Sequence, residues 1–85
     1  MYKITESVVI TDMSGVLIIL DTNTGNYYAL NEVAKKIWRM IEKSVSSDEI
    51  VNHIAEEYQA EQSVVLQDVN ECFESWISFG FISKA

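Results

Sequence analysis

The sequence predicts an α+β domain in which a three-stranded antiparallel sheet is followed by three helices. Up to Leu30 the chain consists of short β-branched and aromatic runs separated by turn residues. From Asn31 onward the apolar residues recur at helical spacing behind capping side chains. The chain has 85 residues, 48% of them hydrophobic and none of them proline, which is enough for one globular domain, expected over residues 1–85.

The first strand is Ser7-Val8-Val9-Ile10-Thr11, and it stops at the turn Asp12-Met13-Ser14-Gly15. Val16-Leu17-Ile18-Ile19-Leu20 follows; it is apolar on both faces and therefore expected at the centre of the sheet. Asp21-Thr22-Asn23-Thr24-Gly25 is a hairpin loop rich in residues that accept turn geometry. The third strand, Asn26-Tyr27-Tyr28-Ala29-Leu30, then lies at a sheet edge. It carries no charge and no proline, the devices that ordinarily guard such an edge, so it is either covered or awaits a partner. Side chains alternate along a strand. Tyr28 and Leu30 are expected to face the helices, and Tyr27 and Ala29 to face outward, with the opposite register left open.

Asn31 is a good N-cap, and Glu32 suits the positive end of the first helix. That helix places Val33, Ala34, Ile37, Trp38 and Ile41 on one face and is expected to run to about Lys43. Ser46 and Glu49 have the spacing of a capping box for the second helix, with Ser47 the other candidate cap. The third helix is expected to be capped by Ser63 and to reach Phe79, with Gly80 ending it in a left-handed conformation. Phe81 and Ile82 should fold back onto the core. Winged helix-turn-helix domains are made from these parts.

Charge excludes the usual role of that architecture. The net charge is −7, and no Lys or Arg occurs between Lys43 and Lys84. The second helix of the pair would enter the DNA groove, yet Val64 to Phe79 holds Asp68, Glu71 and Glu74 and no base. No nucleic acid is expected as a partner. No membrane is expected either, since the longest apolar run, Val16 to Leu20, is far short of the roughly 20 residues of a span. The one cysteine and the absence of a signal-peptide pattern suit a cytoplasmic protein.

Catalytic chemistry has little to stand on. His53 and Cys72 are the single residues of their kinds and sit on different helices, short of a closed zinc site. Cys72 reads as a small apolar residue and His53 as the boundary of an apolar stripe. No phosphate-cradling glycine loop or nucleophile elbow occurs. No catalytic residue, metal or cofactor is expected.

The third helix is apolar over an unusually wide arc. Val65, Val69, Cys72 and Trp76 form one seam, bordered by Asp68 and Ser75, and Leu66, Phe73 and Ile77 form another. A core on several sides accounts for this width; so does a groove lined by part of it. If the third strand lies beside this helix, an extended peptide adding to the strand would drop its side chains against the helix.

The run Tyr28-Ala29-Leu30-Asn31-Glu32-Val33-Ala34-Lys35-Lys36-Ile37-Trp38 resembles the strand-to-helix signature of the PqqD-like proteins, and the likeness extends from about Ser7 to Ile82. The resemblance implies a recognition element for ribosomally made, post-translationally modified peptides, which binds a precursor's leader segment and delivers it to a modifying enzyme. The implied peptide-binding residues are Asn26, Tyr27, Tyr28, Ala29, Leu30, Val65, Asp68, Val69, Cys72 and Trp76. A protein of this size most resembles the leader-binding partner of lasso-peptide pathways, working with a separate leader protease. The peptide chaperone of pyrroloquinoline-quinone biosynthesis is the alternative. An interaction subunit that dimerises through its strand edge is an alternative of another class.

Overall fold

The computed structural model describes residues 2–84; Met1 and Ala85, the ends of the expected domain, lie outside the described residues. The elements run β1 (Tyr2–Ile4), β2 (Val8–Met13), β3 (Val16–Asp21), β4 (Tyr27–Leu30), α1 (Glu32–Glu42), α2 (Ser47–Tyr58), α3 (Gln62–Ser78) and β5 (Ile82–Lys84). The predicted meander is β2-β3-β4, antiparallel throughout, with β3 central and the other two at the edges. Ser14 and Gly15 both have positive φ, 54° and 87°, so a two-residue turn that matches strand twist joins β2 to β3.

Pairing fixes which residues share a face. Leu17 lies opposite Leu30 and Ile19 opposite Tyr28, whereas Ile18 meets Ala29 and Leu20 meets Tyr27. Tyr28 and Leu30 therefore point to the helices, as expected. Leu30 is buried, but Tyr28 is 39% exposed, so it is no core residue. Its ring rests on Phe79, with centroids 5.6 Å apart. An edge strand has nothing beyond it to complete the burial, and Tyr28 stays at the rim.

Helix α1 starts where the sequence places it, with the Asn31 side chain accepting from the Ala34 amide at 2.8 Å. Its stripe Ala34, Ile37, Trp38 and Ile41 is buried over Leu17, Ile19 and Leu30. Ile37 and Ile41 each contribute about 1.5–3 kcal/mol by leaving water. Ser46 caps α2, accepting from the Glu49 amide, and Gln59 ends it in the left-handed region at φ 50°.

The expected Ser63 cap is incorrect. Glu61 occupies the N-cap of α3 without a side-chain bond, and Ser63 lies inside the first turn. The left-handed Gln59 turns the chain so sharply that α3 begins only three residues after α2 ends. The predicted second seam of α3 also divides: Phe73 is buried, but Leu66 and Ile77 are exposed. Gly80 does end the α3 region at φ 79°, and Phe81 and Ile82 are buried as expected.

Two elements, β1 and β5, are additional to the predicted three strands and three helices. Residues Tyr2–Ile4 form a strand that pairs antiparallel with β5, from Tyr2 opposite Lys84 to Ile4 opposite Ile82. Three-residue strands carry no readable period, and the partner lies at the other end of the chain. Among the described residues no helix is long and apolar enough to cross a membrane.

Asp21 is the one buried charged residue among those described, 4% exposed. Its Oδ1 accepts from Ser7 Oγ at 2.7 Å and from the Asn23 amide at 2.9 Å. The Ser7 bond first, then the Asn23 amide, hold this carboxyl below its ordinary value. A carboxylate favoured by folding contributes stability above its unfolded pKa and loses it as pH falls through the folded one. Asp21→Asn should therefore be less stable than the parent at neutral pH, and the gap should close as the pH falls from neutral to below the ordinary carboxylate value of 3.8. Denaturant midpoints across that range measure it; a constant gap would show that the carboxylate charge contributes nothing.

Candidate functional site

Beside β4 the sheet and the helices part. Strand β4 pairs with β3 on one side only, so its other edge has no strand partner among the described residues. Next to that edge lies a cleft of about 470 Å³. Tyr28 and Ala29 form one wall, with Asn31 at its end. Val33, Ala34 and Ile37 of α1 make the floor. Asp68, Glu71, Cys72, Ser75 and Trp76 of α3 make the opposite wall.

Local sequence explains each wall. Asn31 stops the strand and starts α1 in one residue, so α1 turns back beneath β4. On α3, Asp68, Glu71, Cys72 and Ser75 follow i, i+3, i+4, i+7 spacing and so share one stripe. Trp76 anchors this stripe from below, buried edge-on against Trp38 at 5.3 Å.

Of the residues singled out from sequence, the structure brings Tyr28, Ala29, Asp68, Cys72 and Trp76 together around the cleft. Asn26 and Tyr27 lie along the strand outside it, and Tyr27 is 73% exposed on the other face of the sheet. Leu30, Val65 and Val69 are buried in the core and support the walls from behind. Sequence reasoning missed Asn31, Val33, Ala34, Ile37 and Glu71 as site residues and placed Ser75 only at the border of the apolar seam. Glu71 and Ser75 were available from helical spacing. The α1 residues were read as core, and nothing local reveals that a core stripe surfaces at a gap between elements.

The cleft is apolar below and acidic at its α3 lip. Among the described residues neither Asp68 nor Glu71 has a cation partner; Glu71 accepts only a long bond from Gln67 Nε2 at 3.4 Å. Cys72 is half-buried between them. Loss of solvent, and then the Asp68 and Glu71 charges, push its thiol pKa up, which disfavours the nucleophilic thiolate. His53 is exposed on α2 and lines no part of the cleft. No metal-binding cluster of His, Cys, Asp or Glu occurs among the described residues. The arrangement suits holding an extended chain and offers no activated nucleophile.

Three bases gather on α1, away from the cleft, and are paired. Lys35 meets Asp12 at 3.6 Å, Arg39 meets Glu42 at 2.9 Å, and Lys36 bonds Glu57 and the Tyr58 hydroxyl. The Glu57 bond first, then Tyr58, raise the Lys36 pKa.

The other face of the sheet is also unusual. Val9, Met13, Val16, Leu20, Tyr27 and Ala29 all point outward and are exposed, with Ile18 partly so. Antiparallel sheets commonly turn polar residues to water on the face away from the core.

No curated protein sequence matches the chain. Two solved structures superimpose on it closely. One, TbiB1 in complex with the TbiA(beta) leader peptide, is 25% identical, with a TM-score of 0.90 over 98% of this chain and 96% of that one. The other, lasso peptide synthetase B1 complexed with the leader peptide, is 18% identical, with a TM-score of 0.91 over 98% of each chain, and shares the fold. The family described as coenzyme PQQ synthesis protein D (PqqD) matches residues 17–82, from the central strand through α3 to β5, and this chain belongs to that family.

Proposed function

We propose that this protein binds the leader segment of a ribosomally made precursor peptide, in extended form, and presents it to a separate modifying enzyme. The observation that carries the reading is the unpaired, uncharged edge of β4 set directly against a cleft walled by α3. A peptide added to that edge gains ladder hydrogen bonds, and alternate side chains descend toward Val33, Ala34, Ile37 and Trp76. Two similar structures are leader-peptide complexes of lasso-peptide proteins, which supports a lasso precursor over a pyrroloquinoline-quinone one. In this reading the protein works in the cytoplasm as an adaptor with no reaction of its own. Asn26, Tyr27, Tyr28, Ala29 and Leu30 supply the strand. Asp68, Cys72 and Trp76 contact the leader, and Val65 and Val69 back that wall.

In this reading the modifying enzyme docks on the outer face of the sheet. A strand added at β4 leaves the outer apolar face of the sheet free, and an exposed patch of this kind marks an interaction site. That face suits the leader protease better than the bases of α1, which already hold carboxylates.

Three outcomes test the reading, each using a synthetic peptide that carries the leader sequence of a lasso-peptide precursor. Amide signals of Asn26 to Leu30 and of Asp68 to Trp76 should shift on titration, and the bound leader should slow alkylation of Cys72. Shifts confined to other elements, or a mass that doubles with concentration and ignores the leader, would favour the strand-edge dimer instead. Asp68→Lys should weaken a leader bearing Lys or Arg by up to about fivefold, with the difference shrinking in high salt. Equal affinity in titration calorimetry removes Asp68 from the site. Leu20→Glu should leave leader affinity unchanged and abolish leader-dependent cleavage by the protease; unimpaired cleavage rules out the outer face.

A further inference from the structure

We propose that Asp21 is a positioning residue that holds the two walls of the leader cleft at their working separation; this rests on the leader-binding reading above. Asp21 lies outside the cleft, yet both walls are tied to it. The strand side is held through the loop. The Asp21 amide donates to the Asn26 carbonyl at 2.9 Å, and the Asp21 carbonyl accepts from the Gly25 amide at 2.8 Å. The Asp21 carboxylate accepts from the Asn23 amide at 2.9 Å within the same loop. Strand β4 begins at the next residue, Tyr27, so this loop sets where the binding edge starts.

The helix side is held through Gly80. A Cβ placed on Gly80 would stand 3.9 Å from Asp21 Oδ2, so the backbone leaving α3 passes directly over the carboxylate. Gly80 is kept there by Thr5, whose Oγ1 donates to the Gly80 carbonyl at 2.6 Å and whose amide donates to the Phe81 carbonyl at 2.9 Å. The stretch from Thr5 to Ser7 returns to Asp21 through Ser7 Oγ at 2.7 Å. The ring of Phe79, one residue before Gly80, packs on Tyr28 of the cleft wall. The end of α3 and the start of β4 thus converge on one carboxylate.

Burying a charge is costly unless it is well hydrogen-bonded. A turn alone can be closed by exposed Asn, Asp or Gly. A buried carboxylate that joins the Asn23 loop to the Ser7 segment, which Thr5 ties in turn to the end of α3, fixes their mutual distance. A leader strand must reach the β4 ladder and α3 at once, so a change in that distance weakens binding even where the fold survives.

The experiment compares Asp21→Ala, Asp21→Asn and a destabilising core variant remote from the cleft, Val51→Ala, with the unfolding free energy of each measured first, at a temperature where all remain folded. Calorimetry with the synthetic leader should show about a tenfold loss for Asp21→Ala. Asp21→Asn keeps an oxygen for Ser7 and Asn23 and should recover most of that affinity. Val51→Ala should bind as the parent does. Equal affinity in all variants, or equal loss in Asp21→Ala and Val51→Ala, overturns the proposal. If Asp21→Ala is too unstable, Ser7→Ala removes one donor from the same oxygen and should give a smaller loss; parental affinity there also overturns it. Amide exchange in the free protein supplies the arm that needs no leader. Asn26–Leu30 and the last turn of α3 should exchange faster in Asp21→Ala than in Val51→Ala, and unchanged exchange counts against Asp21. A parent protein that fails to bind the leader refutes the functional reading, while the exchange arm still decides the role of Asp21.

Discussion

The edge-on contact between Trp38 and Trp76 is the constraint on which the rest of the architecture depends. Both rings are fully buried, one on α1 and one on α3, with centroids 5.3 Å apart and planes at 88°. Such a pair contributes about 0.5–1.5 kcal/mol beyond the area it buries. Its larger effect is geometric. It joins the helix that follows β4 to the helix that faces β4, so the gap between strand and α3 has a rigid floor. The contact has a cost: the Trp38 indole N–H is buried without a hydrogen-bond partner among the described residues. Packing of two large rings under the cleft outweighs one unsatisfied donor.

The charge distribution follows the same division. The cations of α1 are held by acids from β2, α1 itself and α2, which ties the elements around the core without leaving a positive field. The acids of α3 lack such partners, and two of them stand at the cleft. A helix that in a DNA reader would carry the positive charge is here the negative wall of a groove. The helix pair is shared with such readers, and the sign of its surface decides what it can meet.

Much of this was legible in the sequence because it is local. Asn31 and Ser46 announce their helices through short capping geometry, and Leu17 and Ile19 announce a buried face by alternation. The features that failed depend on distant chain. The strand at Tyr2–Ile4 exists because β5 comes back to it, and no three-residue pattern encodes that. Ser63 looked like a cap because it precedes an apolar run, but the left-handed Gln59 had already delivered the chain into α3. Site residues divide on the same line. The strand edge and the Asp68 stripe follow from periodicity, whereas the α1 floor appears only where three elements leave a gap. Asp21 read as an ordinary loop residue because its carboxylate partner, Ser7, sits 14 residues upstream on a separate segment.

Strand β4 has three sides, and the molecule treats each differently. One face presses Leu30 into the core and leaves Tyr28 at the rim. The opposite face carries Tyr27 and Ala29 into an apolar surface open to water. The edge between them keeps its backbone groups free. An unpaired edge and an exposed apolar face are each liabilities for a small protein, because both invite self-association. Charged gatekeepers on either would remove the hazard, and β4 has none. The burden of solubility falls on the acidic helices, which carry most of the net charge of −7. That division is consistent with a strand kept bare for two partners, a peptide at its edge and a protein on its face.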